Sequence, residues 1–345
     1  MTHASNAPIT ALSAGLPGSM AGFSPGTATP PPFREGKLSL GLQGGGSFGA
    51  FTWGVLDRLL EQDGLAWDTI SGASAGAVNA VVLADGLAAG GPATARRKLA
   101  WFWQEVSRRT PSGAAMLAVA ALGASLRWVT PFALDPPRLN PLRDLLAETV
   151  DFPRLRAAAA AGSGPRLLLA ATRVRDGRPV LFGTPQVRLE AVLASACLPF
   201  LGEPVVIDGE ACWDGGFSAN PPLRALVEAS TAADLLLVRL LPAEHDRVPH
   251  HSHEIARRLQ ELTFNAPLLR EEDEVAALRR ACGERRLFRP ALCRKLERLR
   301  LHRIAAPDAV AGLERESPLD TGWPLLQRLK DAGRAAAEVW LAGGE

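Results

Sequence analysis

Between His3 and His245 the sequence contains no histidine, so any chemistry carried by that stretch must do without an imidazole. Tyrosine is missing altogether beside eight tryptophans, and nothing in the pattern explains that bias. No apolar run reaches the roughly 18 residues of a membrane-spanning helix. The N-terminus has no basic segment followed by a continuous apolar one, so a secretory signal is not expected. Neither sign of charge dominates: 38 Lys and Arg against 36 Asp and Glu leave +2, which gives no case for nucleic acid. Cysteine is sparse. Cys197, Cys212, Cys282 and Cys293 are widely spaced and form no C-x-x-C pair, which predicts reduced, structural thiols in a cytoplasmic protein.

What is present reads as an α/β chain. At 345 residues it can bury a substantial core, in one large domain or two modest ones. Residues 1–36 hold Ala, Ser, Thr, Gly and Pro with almost no charge, and are expected to be a flexible leader. From Lys37 the pattern alternates strand and helix. Leu38–Leu42 reads as a strand, Phe48–Glu61 as a helix, Asp68–Ser71 as a strand and Ala77–Leu87 as a helix. That opening predicts a parallel sheet covered by helices on both faces. Further helices are expected at Ala95–Arg108 and Pro141–Thr149, and strands at Arg166–Thr172, Pro179–Phe182 and Pro204–Ile207. Leu235–Leu241 is a nearly continuous apolar run, as a central strand buried on both faces requires. The Ala/Leu-rich stretch Gly113–Leu134 fits either a buried helix with a loop or an apolar lid over a cleft.

After about His245 the character changes. Residues 254–303 read as helical and highly charged, and Arg279–Arg303 holds ten Lys and Arg against Glu284 and Glu297. Such a run is ordinarily a solvated face; the alternative is attraction to an anionic membrane surface. Trp323–Leu341 reads as a terminal amphipathic helix. The division expected is a leader (1–36), a catalytic domain (37–244) and a basic helical region (245–345) packed on it or continuing it.

The chemistry concentrates in three places. Gly72-Ala73-Ser74-Ala75-Gly76 joins a strand to a helix with small residues on both sides of a serine, the pattern of a nucleophile elbow. A serine cap at a strand–helix turn would look the same. Gly44-Gly45-Gly46-Ser47-Phe48-Gly49, one βα unit upstream, could aim backbone N–H groups at an oxyanion. Gly44, Gly46 and Gly49 also fit a dinucleotide fingerprint. That fingerprint wants an acidic residue at the end of the second strand, where this chain has Ser71-Gly72-Ala73-Ser74. The third element is the base. His245, His250, His251, His253 and His302 are the imidazoles available, and the first four lie in a polar loop where solvation is their ordinary role. No cysteine or acidic partner at ligand spacing supports a metal site among them. A buried carboxylate would serve instead, and Asp214, ending a short strand before Gly215-Gly216, is the best placed; an Asp-Gly turn is its plainer reading.

Taken in order, Gly44-Gly45-Gly46-x-x-Gly49, Gly72-x-Ser74-x-Gly76 and Asp214-Gly215-Gly216 resemble the three signature blocks of the patatin-like phospholipase family. Ala194–Pro199 and Asn220-Pro221 are also similar to family positions, and the resemblance spans about Lys37–Leu241. It implies a three-layer α/β/α fold with a mainly parallel sheet, extended here by helices. It further implies hydrolysis of lipid acyl esters by a Ser74–Asp214 dyad, with Gly44–Gly46 as oxyanion hole and no cofactor. Phe48 stands where many members carry a basic residue in the glycine block. Three alternatives stay open at this level: an acyltransferase on the same site, a Ser–His–Asp esterase recruiting His245, and a weakly active, membrane-associated regulator.

Overall fold

A computed structural model describes residues 36–110, 141–199, 203–242, 244, 248–283, 290–310, 312–313 and 316–343. Residues 1–35 of the leader, the whole of Gly113–Leu134 and His245 therefore lie outside the described residues. The strands are β1 (Gly36–Leu42), β2 (Leu65–Gly72), β3 (Arg166–Arg173), β4 (Pro179–Gly183), β5 (Val205–Ile207), β6 (Glu210–Asp214), β7 (Asp234–Arg239) and β8 (Arg300–Ala305). They form one sheet in the order β5-β6-β3-β2-β1-β7-β8, with β4 on β3. The pairings β3-β2-β1-β7-β8 are parallel, whereas β4 and β6 run antiparallel to β3.

Side-chain alternation along β7 shows why the fold has three layers. Leu236 and Val238 point into one core together with Leu38, Leu40 and Leu42 of β1. Leu235 and Leu237 point into a second core on the opposite face. Successive strand residues face opposite ways, so a strand apolar at every position must be covered twice. The first core is closed by α1 (Gly49–Leu59), α2 (Ala75–Arg109) and α10 (Trp323–Leu341). The second is closed by α6 (Leu223–Ala229), α7 (Ser252–Gly283) and α8 (Ala291–Arg298). Short helices α3 (Pro141–Thr149), α4 (Phe152–Ala160), α5 (Leu189–Ser195) and α9 (Ala306–Ala309) complete the described set.

Two expectations are corrected. The region 254–303, read as helical, runs at its end into β8, which pairs parallel to β7 from Asp234↔Arg300 to Arg239↔Ala305. Its alternation of buried His302 and Ile304 with exposed Arg303 is a strand signal that the dense basic residues mask. The four cysteines are not all reduced: Cys282 and Cys293 are joined in a disulfide linking α7 to α8, while Cys197 and Cys212 are free and buried. Wide spacing in sequence said nothing about two helix ends meeting in space, and the compartment drawn from reduced thiols loses that support.

Helices Ala77–Leu87 and Ala95–Arg108 are continuous in α2 apart from a kink at Gly90 and Gly91. Several residues of the basic run are used internally. Arg279 donates to the Leu296 carbonyl, Lys295 to that of Glu228, Arg300 to Asp234 and Arg303 to Glu272. Asp68 lies within β2, buried, and accepts from Ser39 Oγ (3.1 Å), the Thr231 hydroxyl (2.7 Å) and Arg166 (3.1 Å). These bonds hold its carboxyl well below the usual carboxylate range against the opposing pull of burial, and give it a structural task. Among the described residues no helix is long and apolar enough to cross a membrane.

Candidate active site

Parallel pairing sets the site. Leu42 lies opposite Gly72, so the glycine block after β1 and the serine turn after β2 leave the sheet side by side. In open parallel sheets this carboxyl edge of the strands is where ligands bind. The antiparallel β6 adds the third element: Asp214 pairs with Ala171, two residues beyond the Leu169 that faces Gly72. Three segments distant in sequence thus converge by register alone.

The turn at Ser74 is tight and strained. Ser74 has φ 53° and ψ −126°, a conformation that a side chain rarely adopts and that costs about 1–3 kcal/mol. Several bonds hold it there. The Ser74 N–H donates to both the carbonyl (3.0 Å) and the hydroxyl (3.1 Å) of Ser195, at the end of α5. The Gly76 N–H closes the turn on the Ala73 carbonyl at 2.8 Å. A Cβ at Gly76 would lie 2.1 Å from the Leu42 carbonyl oxygen, so only glycine lets the turn sit this close to β1. Ser74 then caps α2, whose N-terminus places partial positive charge beside the hydroxyl.

Asp214 is fully buried. Its Oδ1 accepts the Gly216 N–H at 2.8 Å, and its Oδ2 has no hydrogen-bond partner. Burial pushes the carboxyl up to about 7, against the opposing influence of the nearby Ser74 side chain and the Gly216 amide. The hydroxyl and the carboxylate are therefore neighbours, close enough to interact but without a fully formed hydrogen bond.

The glycine block divides by role. A Cβ at Gly44 would meet Ser74 Cβ at 2.7 Å, so this backbone lies directly against the serine. The Gly44 N–H, however, is spent on Asn220 Oδ1 at 2.7 Å. The N–H groups of Gly45 and Gly46 have no acceptor among the described residues, and both glycines line a small cavity with Ser74. That cavity measures about 40 Å³ and is walled by Phe48, Leu198 and Leu241, with Phe264 and Arg257 of α7 above it. Gly49, outside this cavity, packs against Ala75, and Gly215 against the Ala170 carbonyl. Gly216 packs against the Phe264 ring.

Sequence reasoning missed the roof and its fastenings. Gln43 Oε1 accepts the Leu240 (2.7 Å) and Leu241 (3.1 Å) amides, and its Nε2 donates to Asn265 Oδ1 at 2.8 Å. Asn220 Nδ2 donates to the Phe264 carbonyl at 3.0 Å. Single buried amides in loops carry no periodic signal; the Asn220-Pro221 block was the one available pointer. Of the histidines, His302 is tied to Asp234 at 2.8 Å at the amino end of β7, away from Ser74. His250 and His251 are exposed before or at the start of α7. The His253 side chain lies outside the described set.

An uncharacterized protein, YjjU, of Escherichia coli (strain K12) is 27% identical over 215 residues, covering 62% of this chain and 54% of that protein. The chain thus spans about half the length of that curated relative. Among solved structures, VipD from Legionella pneumophila is similar over 90% of this chain and 67% of its own, with 16% identity and a TM-score of 0.39. The type III effector protein ExoU is similar over 90% of this chain and 54% of its own, with 18% identity and a TM-score of 0.36. Residues 40–227, more than half of the chain, match the family described as patatin-like phospholipase. The chain belongs to the patatin-like phospholipase family.

Proposed function

We propose that the protein is a serine acyl hydrolase of lipid esters, acting through a Ser74–Asp214 dyad. The observation that carries this reading is the pairing of a strained, cavity-facing Ser74 with a fully buried Asp214 whose Oδ2 is unpartnered. A carboxylate raised to about 7 is basic enough to take a proton near neutral pH, which an ordinary exposed aspartate is not.

In the first step Asp214 takes the Ser74 hydroxyl proton as the oxygen attacks the ester carbonyl. The Gly45 and Gly46 N–H groups hold the resulting oxyanion, helped by the N-terminus of α2. Gly44 anchors this loop through Asn220 and donates nothing to the oxyanion. As the tetrahedral species collapses, the C–O bond breaks and Asp214 returns its proton to the leaving alcohol. An acyl-Ser74 ester remains. Water, deprotonated by the same carboxylate, then attacks that ester, releases the fatty acid and restores Ser74. Each N–H donor is worth about 3–4 kcal/mol on the barrier.

The test is turnover of a panel of phospholipids, lysophospholipids and p-nitrophenyl esters by the wild type, Ser74→Ala and Asp214→Asn. Both variants should lose nearly all turnover while keeping their fold. Most activity surviving in Ser74→Ala would rule the mechanism out.

A further inference from the structure

The Ser74 cavity holds only about 40 Å³, room for a few water molecules and not for an acyl chain. Among the described residues it is closed by the first half of α7, together with Pro318 and Leu319. The inner face of this half-helix presents Arg257, Glu261 and Phe264 to the cavity. Arg257 fastens it by donating to the Leu313 carbonyl at 3.0 Å while also pairing with Glu261.

The outer face of the same half-helix gathers three exposed large hydrophobic side chains. Ile255, Leu259 and Leu262, spaced i, i+4 and i+7, are 42%, 59% and 47% exposed. Ala256 and Gln260 are the exposed residues between them and Thr263 follows, while the charged Arg258 on this stretch is half-buried and paired with Glu261. Val248, just before the helix, is 74% exposed. Beyond Pro267 the composition reverses: Arg270 to Glu274 are charged, and this half is anchored. Glu271 accepts the Arg224 N–H at 2.7 Å, and Glu272 pairs with Arg303 at 3.0 Å. Pro267 cannot donate to the Thr263 carbonyl, so the helix is weakest between its two halves.

We propose that the Ile255–Leu259–Leu262 face of α7 is a docking surface for the lipid–water interface of a bilayer, and that docking lifts this half-helix from Ser74. A lipid surface is the occupant that fits. An uncharged apolar stripe at helical spacing is what the acyl boundary takes up. The helix carrying it is also the one that must move before an acyl chain can reach Ser74. The basic run from Arg279, of which Arg279, Lys295, Arg300 and Arg303 are bonded internally, is not required. This inference rests on the lipid acyl hydrolase reading.

The test uses the full chain and two vesicle preparations, pure phosphatidylcholine and phosphatidylcholine doped with phosphatidylglycerol. Partition is measured by co-sedimentation for the wild type, Leu259→Glu/Leu262→Glu and the milder Leu259→Ser/Leu262→Ser, in parallel on a Ser74→Ala background. Wild-type chain should bind both preparations, and the acidic pair should lose about tenfold or more in partition. Turnover on vesicles should fall with it, while turnover of a short, monomeric p-nitrophenyl ester stays within about twofold. Should the acidic pair disturb the helix, the serine pair still gives a graded loss. Wild-type chain that binds neither preparation overturns the proposal. So does binding that needs phosphatidylglycerol and ignores the leucines. Because partition is read on the Ser74→Ala chain too, failure to hydrolyse any ester sinks the hydrolase reading without deciding the docking surface.

Discussion

Asn220 grips Gly44 from both sides: its Oδ1 accepts the Gly44 N–H at 2.7 Å and its Nδ2 approaches the Gly44 carbonyl at 3.4 Å. The same Nδ2 donates to Phe264 of α7 at 3.0 Å, so one buried amide fixes the glycine loop and the roof over Ser74 together. Asn220→Ala would leave the Gly44 amide unpaired in the interior and remove the link to the Phe264 carbonyl. We expect a stability loss of about 2–4 kcal/mol by chemical denaturation. Among molecules still folded, kcat should fall about tenfold to hundredfold as Gly45 and Gly46 lose their aim. Asn220→Asp keeps the acceptor for Gly44 and should be milder in kcat than the alanine variant.

The pH dependence follows from burial of Asp214. Its carboxyl sits at about 7 against an ordinary value of 3.8. The proposed base works only when ionised, so kcat/KM should rise with pH to a plateau, with an apparent pKa of about 7. Stability should move the other way. Between about 4 and 7 the folded chain holds a proton that the unfolded chain has lost, so this group's favourable contribution is fully present below the unfolded value. It disappears as pH rises through the folded one. Asp214→Asn should therefore match the wild type in melting temperature near pH 4 and exceed it increasingly toward pH 8. Melting curves of the two proteins that run parallel across that range would show that the carboxyl is not raised by folding.

Much of this was legible in the sequence because parallel βα units advertise themselves. The apolar run of β7, the two glycine-rich strand ends and the Asp-Gly-Gly after β6 are local patterns with local causes. The sequence pointed to Asp214 as the best-placed carboxylate for Ser74 and the family resemblance paired the two, but their convergence in space depends on β6 meeting β3 at Ala171. What stayed hidden is long-range. The roof by α7 comes from Gln43 and Asn220 reaching Asn265 and Phe264, contacts that no periodicity encodes. β8 hid because its six residues follow directly on a basic helix. The role of Gly44 looked identical to those of Gly45 and Gly46 until the Asn220 amide was placed against it.

The Cys282–Cys293 bridge gives a prediction that needs no activity. Unfolded under non-reducing conditions the chain should expose two titratable thiols, Cys197 and Cys212, and after reduction four. The bridge closes a loop with a sequence separation of 11 and ties α7 to α8 within the second core. Cys282→Ser should then cost about 2–3 kcal/mol by denaturant titration without reductant, chiefly through the unfolded chain. Four thiols in the unreduced protein would mean that the pair is not bridged in solution.

The elbow itself can be tested by a single methyl group. Gly76→Ala places a Cβ 2.1 Å from the Leu42 carbonyl oxygen, which belongs to a central strand and cannot yield alone. Either β1 or the turn must move, and the turn is the cheaper because Ser74 is already held in a strained conformation by the bonds its N–H donates to Ser195. We expect a loss of about 2–4 kcal/mol in stability. The Ser74 hydroxyl should swing away from Asp214, so turnover should fall far more than unfolding accounts for. Gly283→Ala is the matched control: it ends α7 with nothing within 4 Å of the added methyl, and should change stability and turnover little. If Gly76→Ala kept full turnover, the approach of the serine turn to β1 would not be what positions the nucleophile, and the role given to the glycine on that side of the elbow would fall with it.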